Sequence, residues 1–299
     1  MDSVWRETAA LPHFEKLAGD VKTDVLIIGG GITGILCAHF IKERGMDYLL
    51  VEGEEICHGV TGNTTAKITA QHGLIYSKMM RHMGLEKTRL YLEANQRAVL
   101  KYAELAQHYA CDFIEKKSFV YSVDDRKKLE QEADCYRLLG LTDEIVETPE
   151  LPFATAGAVM MRGQAQFHPL KFLAGVAKDL NICEHTFVTQ LMPGKAVTDQ
   201  GTIAYKQVIF ATHYPIDNKH GCYFLKLYQH RSYVLALKQA PQMEGMYVDE
   251  DRKGLSFRGY KDFLLVGGSS HRTGKRGGNW QELRQFAGQY YPDAVEQYC

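Results

Sequence analysis

Asp24-Val25-Leu26-Ile27-Ile28-Gly29-Gly30-Gly31-Ile32-Thr33-Gly34 runs from an apolar strand-type segment straight into a Gly-x-Gly-x-x-Gly turn. Apolar residues at helical spacing follow, and then Tyr48-Leu49-Leu50-Val51, a second buried-type strand that ends on Glu52. Strand, glycine turn, helix, strand and acid is the order of a dinucleotide-binding βαβ unit. Gly29 lets the chain turn off the strand, Gly31 has no Cβ to hold a pyrophosphate away, and Gly34 lets the helix lie close to the strand. Ile32 and Thr33 open a helix whose first N–H groups and positive end attract phosphate. Glu52 stands where a carboxylate accepts from ribose hydroxyls, and its charge disfavours the 2′-phosphate of NADP. The fingerprint alone does not separate NAD from FAD.

Composition narrows the rest. The chain has 299 residues, 45% of them hydrophobic and 24% charged, enough for one large or two medium globular domains. A formal net charge of −1 points to neither nucleic acid nor an anionic membrane as partner. No apolar run is long enough to span a bilayer, and the polar, acidic start Met1–Glu7 is unlike a signal peptide, so the cytoplasm is the expected location. The seven cysteines contain no Cys-x-x-Cys and read as reduced thiols. The pairs Cys37/His39 and Cys183/His185 read as packing or surface side chains rather than metal ligands, since positions two apart on a helix face different ways.

Beyond the βαβ unit, residues 57–73 form a Gly/Thr/Asn-rich loop. The spacing predicts a long amphipathic helix over 84–110, strands at Phe113-Ile114 and Ser118–Ser122, and a charged helix over 124–139 ended by Gly140. Extended chain follows over 145–161, then a helix opened by Pro169. Strands are expected at Ile182–Leu191, Ile203–Thr212, Ser232–Leu237, Gly245–Val248, Leu255–Arg258 and Phe263–Val266, and a last helix from Trp280 to Tyr290. The fold class is α/β, with a discontinuous Rossmann-like nucleotide-binding domain (1–80, 160–215 and 260–299) and an inserted α+β substrate domain (81–159 and 216–259).

Two further segments bear on the ligand. In Thr61-Gly62-Asn63-Thr64-Thr65-Ala66-Lys67 the small hydroxyls can donate to phosphates and the backbone can pass close to a flat ring. Val208-Ile209-Phe210-Ala211-Thr212 is a buried-type strand that ends in small residues, as a strand beside a dinucleotide must. With Phe167-His168-Pro169-Leu170 and Glu184–Val188, these segments resemble, in order and across essentially the whole chain, the D-amino-acid-oxidase-like FAD-dependent oxidoreductases. The stretch Thr61–Gly73 is similar to a bacterial subgroup often fused to a C-terminal Rieske domain.

The resemblance implies FAD as cofactor. Gly29, Gly31 and Gly34 would hold its pyrophosphate, with Ile32 and Thr33 at the helix start, and Glu52 its adenosine ribose. Thr61, Thr64 and Thr65 would line the phosphates, Ala66 and Lys67 would lie near the flavin ring, Val188 would meet adenine through its backbone, and Ala211 and Thr212 would close over the pyrophosphate. It implies oxidation of an amine or amino acid by hydride transfer to flavin, with the electron acceptor unassigned. No metal ligand set is expected, and no Ser/His/Asp arrangement suggests hydrolysis. Arg258 and Tyr247 are candidates for binding a substrate carboxylate, and His72 and His271 for groups near the flavin. Family members continue past the position of Cys299, so the chain reads as C-terminally truncated. Oxidation of a C–O bond in a polyol phosphate, and a non-catalytic FAD-binding fragment, are the competing readings.

Overall fold

The computed structural model describes residues 3–142, 144–217 and 221–299; Met1 and Asp2 of the N-terminal reading lie outside the described residues. In chain order the strands are β1 (Val21–Ile28), β2 (Tyr48–Val51), β3 (Lys67–Ile68), β4 (Ile114–Ser122), β5 (Ile145–Val146), β6 (Gly157–Gln166), β7 (Ile182–Cys183), β8 (Val188–Met192), β9 (Lys195–Thr198), β10 (Thr202–Phe210), β11 (His230–Lys238), β12 (Met246–Asp249), β13 (Ser256–Tyr260), β14 (Phe263–Arg272) and β15 (Val295–Tyr298). The helices are α1 (Val4–Glu7), α2 (Ile32–Glu43), α3 (Tyr76–Ala106), α4 (Arg126–Leu139), α5 (Pro169–Ala177), α6 (Tyr223–Lys226) and α7 (Trp280–Tyr290). The chain divides into two compact units, one built from Trp5–Thr64 and His168–Tyr228, the other mainly from Thr65–Phe167 and Gln229–Cys299.

The first unit carries a six-stranded sheet in the order β7-β2-β1-β10-β9-β8. Its centre is parallel, β1 pairing with β2 on one side and β10 on the other. These are the most apolar runs of the unit, and every residue of β2 is buried, as expected of parallel strands covered on both faces. Leu26, Ile28, Leu49, Val51 and Ile203 form one core layer, and α2 packs beside α5.

The single strand expected over Ile182–Leu191 is two. β7 extends the parallel sheet beside β2 and β8 starts a hairpin with β9. Between them Glu184, 1% exposed, accepts from the N–H groups of Ile56 (2.7 Å) and Phe14 (2.9 Å), and His185 takes φ +47°. Those long-range bonds to one carboxylate turn the chain out of the strand.

The second unit carries a nine-stranded sheet, in the order β15-β11-β14-β13-β12-β4-β6-β3 with β5 on β6. The two strands expected at 113–122 are one, β4. The sequence reading set residues 260–299 with the nucleotide-binding domain; they lie in this second unit. β14 is hydrogen-bonded to β13 and β11, and β15 to β11. Leu264, Val266, Leu283, Ala287 and Tyr291 enter the same core as Tyr121 and Phe257, so the placement follows from burial of their apolar faces.

α3 consists of two helical segments that meet in a kink at Gly84 (φ +79°, ψ 173°), where the backbone is not helical; the spacing predicts the second, and the first opens at Tyr76. Its first turn is held by Glu132 of α4, fully buried, whose carboxylate accepts from Tyr76 N (2.9 Å) and Ser77 N (2.7 Å). Burial pushes the Glu132 carboxyl above its usual value, and the Ser77 and Tyr76 donors oppose that shift. Glu132→Ala leaves two buried donors unmatched and is expected to cost about 2–4 kcal/mol, read as a lowered urea midpoint. An unchanged midpoint would show that the first turn needs no cap.

Candidate cofactor and active site

In the first unit the carboxyl ends of β1, β2 and β10 meet. Gly29 N donates to Val51 O (2.8 Å) and Ala211 N to Ile28 O (2.8 Å), which stitches the three strand ends together. Gly29 sits at φ +110°, where a Cβ would stand 2.5 Å from Ala211 O. A Cβ on Gly34 would collide with Gly29 O. Gly31 differs: a Cβ there would meet only Thr61 Oγ1, at 3.2 Å, so the space over this residue is open. No side chain caps α2 at Gly31. Thr61 Oγ1 accepts from Ile32 N (3.0 Å), and its own hydroxyl proton remains available to an acceptor beyond the helix end. Thr33 is exposed in the same first turn.

Glu52 is held in place from two sides. Oε2 accepts from Gly30 N (2.6 Å) and Oε1 from Glu54 N (3.0 Å), which leaves further lone pairs for hydroxyl donors. Thr64 O accepts from Trp5 Nε1 (2.7 Å). Val188 opens β8, half-buried and opposite Thr198. Ala211 follows directly on β10, and Thr212 Oγ1 donates to Tyr214 O (2.7 Å), so this hydroxyl proton is already committed. An open glycine at the start of α2, a hydroxyl beside it and a fixed carboxylate at the next strand end suit the adenosine diphosphate half of a dinucleotide.

In the second unit Thr65, Ala66 and Lys67 lead into β3. Ala66 takes φ +52°, a costly region for alanine. Arg258, fully buried on β13, donates from Nη1 to Thr65 O (2.7 Å) and Ala66 O (2.5 Å). Arg258 was a candidate for a substrate carboxylate; its guanidinium instead holds the backbone of this loop. Burial lowers its pKa to about 9. Lys67 is lowered to about 7, by burial first and by the nearby Arg258 charge second.

A cavity of about 670 Å³ lies in this unit, with Thr65, His72, Lys78, His82, Tyr233 and Arg252 among its lining residues. Its size is that of a small-molecule site. His72 Nδ1 lies 2.9 Å from the Tyr91 hydroxyl, and burial lowers the His72 pKa. The other candidates do not line the cavity. Tyr247 is 3% exposed and its ring is stacked on Phe119 at 4.7 Å; β12 pairs with β4, which turns this ring into the core. His271 stacks on Tyr233, itself a lining residue, at 5.9 Å.

Sequence reasoning missed Lys78, His82 and Arg252. Lys78 and His82 lie on the helical segment that precedes the kink at Gly84, outside the helix that the spacing predicts. Among the described residues no group of three or more His, Cys, Asp and Glu is placed to hold a metal.

The family model described as "DAO: FAD dependent oxidoreductase" matches residues 24–298. This chain belongs to that family of FAD-dependent oxidoreductases. FAD is therefore its cofactor, and the open cradle at Gly31 with Glu52 beyond it fits the pyrophosphate and ribose of FAD. A Bacillus subtilis relative named "Putative Rieske 2Fe-2S iron-sulfur protein YhfW" is 33% identical over 96% of this chain, and the chain spans 60% of that relative's length. Among solved structures, L-proline dehydrogenase from P. horikoshii (TM-score 0.70, 17% identity) is matched over 94% of this chain and 80% of its own. Glycine oxidase from Geobacillus kaustophilus (TM-score 0.67, 19% identity) is matched over 92% and 80%. At these identities the FAD-dependent oxidoreductase shares its fold with both.

Proposed function

We propose that this FAD-dependent oxidoreductase oxidises a C–N bond of a small amine or amino acid. The cofactor part of the reading is carried by the open cradle over Gly31 at the start of α2, with the Thr61 hydroxyl beside it. The substrate part is supported by the names of related proteins: proline dehydrogenase, glycine oxidase and L-amino acid deaminase among similar folds, and the Escherichia coli gamma-glutamylputrescine oxidoreductase at 23% identity. Bound flavin supplies a two-electron acceptor for substrate hydride. Gly29, Gly31, Ile32, Thr33, Gly34, Ala211 and Thr212 would hold its pyrophosphate, Glu52 would accept from its ribose, and Val188 would meet its adenine. Thr61, Thr64 and Thr65 would line the phosphates, and Ala66 and Lys67 would lie near the ring. Arg258 positions the Thr65-Ala66 backbone. His72, largely neutral because its pKa is lowered, offers a hydrogen bond or a base to substrate in the cavity.

Oxidation of a C–O bond in a polyol phosphate is the second reading. It is favoured by Lys78 and Arg252 on the cavity wall and by 41% identity over 69 residues to part of an anaerobic glycerol-3-phosphate dehydrogenase from Haemophilus influenzae. Anaerobic mixing of the flavin-loaded protein with panels of amines, amino acids and phosphorylated polyols separates the two. Bleaching of the yellow flavin band by an amine or amino acid supports the C–N reading; bleaching by phosphorylated polyols alone overturns it.

The Lys67 environment sets a pH dependence. Its folded pKa, about 7, lies below the ordinary lysine value, so its contribution to stability is complete above the unfolded pKa and is lost as pH falls from there to the folded pKa. Stability should rise between pH 7 and 10 by up to about 1.4 kcal/mol per pH unit from this group. Lys67→Met should abolish that slope in denaturant titrations across the range; an identical slope in the variant would remove Lys67 as its source.

A further inference from the structure

The first helical segment of α3 turns one stripe toward the cavity of the second unit. Ile75, Lys78, Met79, His82 and Met83 all line it, at the i, i+3, i+4, i+7 and i+8 spacing of a single helix face. Lys78 and His82, four residues apart, stand one above the other with about 5–6 Å between their Cβ atoms. Met79 and Met83 repeat the same spacing beside them. The stripe therefore has a cationic half and an apolar half. No acid offsets the cationic half locally: from Thr65 to Leu85 the sequence holds Lys67, Lys78 and Arg81 and no Asp or Glu. Glu132, which binds this segment, is spent on the backbone N–H groups of Tyr76 and Ser77. Among the described residues neither Lys78 nor His82 pairs with a carboxylate of the chain. The acids of the cavity, Asp249, Glu250 and Asp251, are consecutive at the end of β12 and in the turn after it. Cations stand with them there: Lys128 bonds Glu250 at 2.7 Å, and Arg252 and Lys253 follow in the chain.

From this arrangement we infer that Lys78 and His82 form an anion clamp that sets substrate specificity. The substrate it selects carries a carboxylate or phosphate on a short aliphatic part. This rests on the reading of the cavity as the substrate site. Two cationic side chains at i, i+4 repel each other. An anion held between them removes the repulsion and accepts charge-assisted hydrogen bonds from the Lys78 ammonium and an imidazole N–H of His82. The aliphatic part lies on Met79 and Met83, whose unbranched thioethers adapt to groups of varied shape. A plain amine gains nothing from the cationic half of the stripe, and its ammonium is repelled there.

Two readouts on the flavin-loaded chain test the clamp. The first needs no turnover. Acetate and inorganic phosphate are titrated separately while the histidine ring signals are followed by nuclear magnetic resonance, the His82 signal being assigned by its loss in His82→Asn. One or both anions should move that signal, and the one that does identifies the clamped group as carboxylate or phosphate. Lys78→Met should weaken this binding about tenfold, and Lys78→Arg, which keeps the charge, should restore most of it. The second readout is the rate of anaerobic flavin reduction within matched pairs: n-butylamine against γ-aminobutyrate, and ethanolamine against O-phosphoethanolamine. The ratio of anionic to plain amine should favour the anionic member in at least one pair and fall about tenfold in Lys78→Met. A His82 signal that moves with acetate or phosphate in a chain that no amine reduces keeps the clamp and overturns the C–N reading. A His82 signal indifferent to both anions overturns the clamp, as does an equal ratio in wild type and Lys78→Met, even where amines are oxidised.

Discussion

Gly31→Ala is expected to leave the fold of this protein intact and to weaken FAD binding by about 100-fold. The reason lies in what surrounds the missing Cβ. Gly31 has an extended backbone conformation (φ −80°) that alanine adopts freely. An alanine methyl would meet no atom of the chain closer than Thr61 Oγ1, at 3.2 Å. It would instead fill the open space at the start of α2, in front of the N–H groups that face a phosphate. A pyrophosphate displaced outward by a methyl group loses hydrogen bonds to charged oxygens, each worth about 1.5–3 kcal/mol, and one or two of them account for the expected loss. Titration with FAD followed by flavin fluorescence, beside urea unfolding of the flavin-free protein, separates binding from stability. Unaltered affinity would show that the pyrophosphate does not approach this residue.

Gly34→Ala is expected to fail for the opposite reason. Its Cβ would overlap the carbonyl oxygen of Gly29 and press on Ala211 Cβ at 3.4 Å. The obstacle is backbone, so no rotamer change relieves it. Either α2 moves off β1 or the turn at Gly29 distorts, and that turn joins the ends of β1, β2 and β10 through the Gly29–Val51 and Ala211–Ile28 bonds. Overpacking of this kind costs about 3 kcal/mol or more, a large part of a domain's stability. The flavin-free Gly34→Ala protein should therefore unfold at a clearly lower urea concentration, or accumulate in the insoluble fraction, where Gly31→Ala does neither. Equal stability of the two variants would contradict the close packing of helix on strand.

The contrast between these glycines was legible in the sequence because the βαβ unit is local. An apolar strand, a glycine turn and a helix form from neighbouring residues, and the change of hydrophobic period from strand to helix marks each boundary. β2 and α7 fell on their expected residues for the same reason. Elements governed by distant partners did not. The strand expected over Ile182–Leu191 breaks because Glu184 binds Ile56 and Phe14, far away in the chain. The hairpin strand β9 and the edge strand β15 are short and carry little periodicity of their own.

The candidate site divides along the same line. The roles proposed for Gly29, Gly31, Gly34 and Glu52 rest on spacing, since they depend on backbone shape and on one acid at a strand end. For polar side chains on strands, residue type could not say whether they face ligand or core. Arg258 reads as a ligand-binding arginine until the fold brings it to the carbonyls of Thr65 and Ala66, more than 190 residues earlier. Tyr247 reads as a phenol for substrate until β12 pairs with β4 and lays its ring on Phe119.

What the sequence by itself determined is a dinucleotide-type glycine turn between strand and helix, the place proposed for the phosphates, because backbone dihedrals and glycine positions are properties of a few consecutive residues. What only the tertiary structure decided is which side chains line the cavity and which hold the chain in shape. Burial is set by what packs against a residue, and here those partners come from remote parts of the sequence.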